Sequence, residues 1–170
     1  MEKRLINKNL KGTMMFRELT RKKQQLSDGE CKEILKQELR GVLALSGDGG
    51  YPYALPINFY FDEKNNRLYF HSGKLGHKMD AIAKCNKVSF CVYDKGYHKD
   101  GHWSLNIKSV IIFGRIHMVN DWTDELMVEF CKRFTGDTEY IYREIENFKS
   151  NTAVLCLEID HMTGKLVNEA

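Results

Sequence analysis

Two rhythms alternate along the chain, and an element ends where one gives way to the other. Cys31, Ile34, Leu35 and Leu39 fall at helical spacing behind a Ser27-Asp28-Gly29-Glu30 capping box. This predicts a helix from Asp28 to about Leu39, with Gly41 as its stop. Period two then takes over. Val42 to Leu45 reads as a short apolar strand and Gly47 to Gly50 as a hairpin turn. Tyr53, Leu55, Ile57, Phe59 and Phe61 form one face of a second strand, with Ala54, Pro56, Asn58 and Tyr60 on the other. Asp62 to Asn66 is a polar turn and Arg67 to Ser72 a third strand, so these three strands are expected to form a meander. Leu75, Met79 and Ile82 predict a helix over about 75–84, and Val88 to Tyr93 a strand. Residues 94–106 read as loop. Ile107 to Val119 is expected to be a long central strand, because Val110 to Phe113 is apolar on both faces. Leu126, Met127, Phe130, Cys131 and Phe134 stripe one helix, Ile141, Ile145 and Phe148 another, and Ala153 to Asp160 is the last strand.

Six strands and four helices result, with the strands mostly in consecutive pairs. Too few helices separate them for a doubly wound parallel sheet. The expected fold is mainly β with helices: a six-stranded antiparallel barrel with helices at its ends and rim. At 170 residues and 19.8 kDa, a single domain over 23–170 is expected behind an arm over 1–22. Charge supports that division. Residues 1–25 hold eight Lys/Arg against two acids, a balance of +6, which leaves the remainder at −3. The arm lacks the interleaved aromatics of a single-strand binder, so nucleic acid is an improbable partner.

Other classes are excluded on composition. Five cysteines, with no C-x-x-C pair, argue against a disulfide framework or a zinc centre, and no metal site is expected. The longest apolar run is five residues, Ala153 to Leu157, too short to span a bilayer. The N-terminal charges have no apolar stretch behind them, so a cytoplasmic protein away from membranes is expected.

The richest stretch for chemistry is Tyr69 to Met79. A strand ends at His71-Ser72, glycines permit a tight turn, and a helix opens with Lys74, His77 and Lys78 around its first turn. Free N–H groups at a helix start attract an anion, whereas cations there are normally disfavoured, so this cluster reads as a phosphate site. Both prolines, Pro52 and Pro56, fall in one strand, which makes it an edge and frees backbone beside Asn58 for a ligand. Lys108 and Ser109 precede the apolar part of the central strand. His98 and His102 lie four residues apart in a glycine loop, a weak metal signal.

Taken together, several strings resemble the FMN-binding split-barrel family related to pyridoxamine 5′-phosphate oxidase, and within it the nitroimidazole-reductase-like branch. They are Met15 to Lys23, Gly41 to Leu45, Gly50 to Asn58, Tyr69 to Ser72 with Gly76-His77-Lys78, and Lys108 to Ile111 with Phe113-Gly114. The resemblance runs from about Met15 to Lys165. It implies FMN (FAD as the alternative) in a groove between two protomers of a homodimer. The flavin's pyrimidine edge is expected against Pro56, Ile57, Asn58 and Phe59, and its phosphate against His71, Ser72, Lys74, His77 and Lys78. Lys108, Ser109 and Val110 are expected to reach the ring from the partner. His71 is the candidate catalytic residue, meeting substrate or donating a proton. The implied activity is reduction of a small electron-poor acceptor, with NAD(P)H or another molecule as electron donor. The match does not extend to the substrate-binding arginines of a true pyridoxamine phosphate oxidase, since Glu158 to Lys165 does not carry them; this argues against vitamin B6 oxidation. The alternative is a flavin- or haem-binding protein without turnover of its own, with His98, His102 and His161 as candidate axial ligands.

Overall fold

The computed structural model describes residues 16–167, so most of the expected arm lies outside the described residues. A capping box does open α1 (Asp28–Gln37): the Ser27 hydroxyl accepts from the Glu30 N–H, and the Glu30 carboxylate accepts from the Ser27 N–H at 2.9 Å. The helix ends earlier than its apolar spacing predicts. Leu39 lies outside it, and Gly41 belongs to the next strand, β1 (Arg40–Ser46). Gly41 is there because a Cβ would strike the Phe90 ring and the Cys91 carbonyl, so its role is close packing between strands rather than stopping a helix.

The expected second strand is two. β2 (Pro52–Asn58) pairs with β1, whereas β3 (Tyr60–Asp62) pairs with β4 (Arg67–Gly73). The remaining strands are β5 (Lys87–Tyr93), β6 (Tyr97–His98), β7 (Leu105–Val119) and β8 (Thr152–Val167). Their order is β2-β1-β5-β7-β8-β4-β3, with β6 on the side of β7, and every pairing is antiparallel. Among the described residues the count is thus eight rather than six, because one strand is broken and the glycine loop contains a short one.

Only Phe59 separates β2 from β3, yet these two strands are the opposite edges of the sheet. Successive Cα atoms are about 3.8 Å apart, so the sheet must curl until its edges meet at this residue. Phe59 is fully buried, and its N–H reaches the Leu39 carbonyl at 3.3 Å. The barrel is closed here by the chain itself and not by a ladder, which is why it is split. The long β7–β8 ladder is its spine, with a bulge between Phe113 and Gly114.

Two apolar clusters form. The larger fills the barrel, with Phe59, Phe70 and Phe90 meeting edge to face at 5.0 and 5.4 Å. The smaller lies under a helical hairpin, α3 (Asp124–Lys132) and α4 (Thr138–Phe148), and contains Met127, Val128, Phe130, Ile141, Ile145 and Val154. Arg133 ties the hairpin to the split. Its guanidinium donates to the Leu35 and Glu38 carbonyls at the end of α1 and lies 5.5 Å over the Phe59 ring. The central strand is apolar on both faces but buried on one only: Val110 and Ile112 are buried, while Ile111 and Phe113 are each 40% exposed. The turn before α2 (His77–Lys84) also departs from its pattern. Gly76, at φ 112°, holds the N-cap, and Leu75, expected in the core, is 93% exposed.

Candidate functional site

His71 stands at the seam between the two apolar clusters. It is on the outward side of β4, with Leu68 and Phe70 turned into the barrel and its own ring edge-on to Phe130 of α3 at 5.0 Å and 85°. Two cavities open from it. One, of about 300 Å³, is lined by Arg40, Pro56, Ile57, Asn58 and His71. The other, of about 520 Å³, lies beneath the α3–α4 hairpin.

The first cavity gathers three of the four residues expected at the flavin's pyrimidine edge, Pro56, Ile57 and Asn58. Pro56 is exposed, Asn58 half-buried, and β2 pairs with β1 alone, so its other edge carries backbone groups unpaired in the sheet. Ile57 and Phe59 are buried, and Phe59, fully enclosed with its N–H on Leu39, lines neither cavity, contrary to expectation. Arg40 is a member the sequence reading missed. Register brings it opposite Asn58, and its Nε donates to the Asn58 Oδ1 at 2.7 Å. A charged residue at a strand start carries no signal until that register is known.

Around the turn, the five expected phosphate residues part company. Ser72 follows His71 on β4, and Lys78 is half-buried with no hydrogen-bond or carboxylate partner among the described residues. Loss of solvation pushes the Lys78 ammonium below its ordinary value. The same cause lowers His71, and the Lys78 charge adds to it, which places the two groups within each other's field. Lys74 instead lies outside the helix and donates to the Ser150 carbonyl. His77 turns toward the hairpin turn, its Nε2 3.3 Å from the Asp48 carboxylate and its ring stacked on Tyr53 at 4.2 Å. Both would have to release these partners to meet a phosphate.

Lys108, Ser109 and Val110 line neither cavity. The Lys108 ammonium pairs with Glu30 at 3.3 Å and its N–H donates to Asp94; Ser109 reaches toward the Lys165 carbonyl; Val110 is fully buried. None of the three candidate haem ligands lines either cavity. His161 stacks on Phe16 at 4.6 Å, and the His98 Nδ1 lies 3.2 Å from the Ser104 carbonyl. No group of three or more His, Cys, Asp or Glu suited to a metal occurs among the described residues. No helix among them is long and apolar enough to cross a membrane.

A curled antiparallel sheet split at one residue, with polar groups collected where its edges meet, defines the class. Residues 27–166 match the family model described as pyridoxamine 5′-phosphate oxidase, and the chain belongs to that family. Solved structures agree on the fold. A candidate 5-nitroimidazole antibiotic resistance protein from Bacteroides thetaiotaomicron superposes with a TM-score of 0.68 at 21% identity, over 84% of this chain and 86% of that one. An FAD-binding protein from Mesorhizobium loti gives 0.58 at 21% identity, over 85% and 97%. The flavocytochrome Anf3 from Azotobacter vinelandii gives 0.60 at 21% identity, over 84% and 68%. No sequence among curated proteins matches.

Proposed function

We propose that the chain is a flavin-dependent oxidoreductase that holds FMN at the His71 cavity, between two protomers of a homodimer, and reduces a small electron-poor acceptor such as a nitro compound. The observation that carries this reading is Lys78. An ammonium that has lost solvation and has no counter-charge is stabilised by an anion brought to it. In the cavity lined by His71, which feels the Lys78 charge, the Arg40–Asn58 pair offers polar groups, and β2 leaves backbone unpaired beside Pro56. That donor set suits a planar heterocycle bearing a phosphate. Family membership and neighbours named for FAD binding support the same cofactor class.

When bound, the flavin carries the electrons, drawn from NAD(P)H or another donor. The chain's own residues do the rest. Asn58 and Arg40 orient the heterocycle's carbonyl edge, and Ser72 with Lys78 hold the phosphate. His71, touching both cavities, passes a proton to the acceptor. Lys108 is delivered by the partner protomer, since in its own protomer it is remote from the cavity. Haem binding without turnover is the weaker reading, because His98 and His161 are engaged within the protein.

The test is the visible spectrum of purified protein, followed by acid release of its chromophore. Stoichiometric FMN supports the reading, and FAD would change the cofactor while keeping the site. A colourless protein that takes up neither flavin overturns it, and a Soret band on adding haemin would favour the other reading.

A further inference from the structure

The larger cavity beside His71 has a chemistry of its own. Its walls are Trp122 and Met127 from the start of the hairpin, Cys131 from the end of α3, and Ile145 and Phe148 from α4. Phe148 lies on the apolar stripe of α4, yet it is 54% exposed, at the side of the cavity rather than beneath the helix. Aromatic, aliphatic and sulfur-bearing side chains thus line an open cavity of about 520 Å³, room for a substituted aromatic ring.

The charges in this wall are unequal. Lys149 is neutralised: its ammonium pairs with Asp124 and lies 5.1 Å over the Trp122 ring. Glu144 is half-buried, lines the cavity, and has no cation or hydrogen-bond partner among the described residues. Its charge is felt at Cys131, whose thiol burial and then Glu144 push up. A cavity with one uncompensated carboxylate and one cancelled ammonium repels anions. The cation whose charge reaches His71, Lys78, lines neither cavity.

We infer that this chamber is the acceptor site, and that it takes flat aromatic rings that are neutral or cationic while rejecting anionic ones. This rests on the flavin reading for its role in turnover, but the binding preference does not. His71 is the one residue that lines both cavities, so a ring in the chamber lies against the proposed proton donor. The preference separates this chain from enzymes whose substrate is a phosphate ester.

The experiment is calorimetric titration of the full-length protein, flavin-loaded and flavin-free, with 4-nitrobenzylamine, 4-nitrobenzyl alcohol and 4-nitrobenzoate. These share a ring and differ in charge. The cation is expected to bind about tenfold more tightly than the anion, with the alcohol between them. Glu144→Gln should bring amine and benzoate together, and Phe148→Ala should weaken all three. A flavin-loaded protein that binds none of them, or binds benzoate as well as the amine, overturns the proposal. So does a Glu144→Gln protein with an unchanged order. If no flavin binds but the amine does, in the predicted order, the chamber stands and the flavin reading alone fails.

Discussion

The two cavities that meet at His71 are built from different parts of the chain and by different means. The smaller sits on the barrel, where strand register sets every position: Arg40 faces Asn58 because β1 and β2 pair as they do, and the chain crosses the split at a fully buried Phe59. The larger sits under a hairpin whose cluster holds six buried residues, pinned to the barrel by Arg133. A rigid ladder holds polar groups to a fixed geometry, whereas a small satellite cluster offers apolar volume that tolerates adjustment. On the function proposed above, the first suits a cofactor of fixed shape and the second a varied acceptor.

That division is broken most forcefully in the barrel. Phe90→Ala removes the ring on which Phe59 and Phe70 both rest and should cost about 3–5 kcal/mol, measured by urea unfolding. Flavin retention should fail with it, since the smaller cavity sits on this core. Ile141→Ala in the satellite cluster should cost about 3 kcal/mol but leave flavin content near normal. If flavin is lost as readily as in the barrel variant, the two regions are one unit.

Smaller effects sharpen the comparison. His71→Ala at full flavin occupancy should cut turnover on the order of 10²-fold, the scale of a lost proton donor; unchanged turnover removes it from the chemistry. Lys78→Ala should weaken flavin binding about tenfold, the scale of one charge-assisted contact, in a fluorescence titration. Unaltered affinity would place the phosphate elsewhere.

The smallest effect is on pH dependence. Burial, and then the Lys78 charge, hold His71 below its usual 6.5 in the folded state. Above 6.5 the side chain is neutral whether folded or not and adds no slope. As pH falls through 6.5 toward the lowered folded value, the unfolded chain takes a proton that the folded protein resists, so stability drops. His71→Gln should flatten that segment when urea midpoints are compared at pH 7.5 and 5.5. An equal fall in both proteins would assign the slope to other groups.

What the sequence made legible follows the same boundary. Alternation and turn residues were enough for β1, β4, β5 and the body of β7, and the capping box located the start of α1. The break at Phe59 left no trace, because Tyr53 to Phe61 keep period two through it: the chain changes partner strand without changing which face is buried. Leu75 fitted a helical stripe but lies on a turn, since Gly76 starts the helix later. Among the residues that line the smaller cavity, Pro56, Asn58 and His71 were legible because prolines and a histidine-glycine turn are local signals. Arg40 and the hairpin chamber were not. One depends on register between strands, and the other on what lies between stripes whose spacing reports burial alone.

The central claim, that the split beside His71 is where a flavin rests, is met most directly by a crystal structure of the protein grown with FMN. The account predicts the ring's carbonyl edge on Pro56 to Asn58 and Arg40, the phosphate on Ser72 and Lys78, and Lys108 of a second protomer facing the ring. Flavin seated away from His71, or a well-ordered cavity that holds none at saturating FMN, would contradict it.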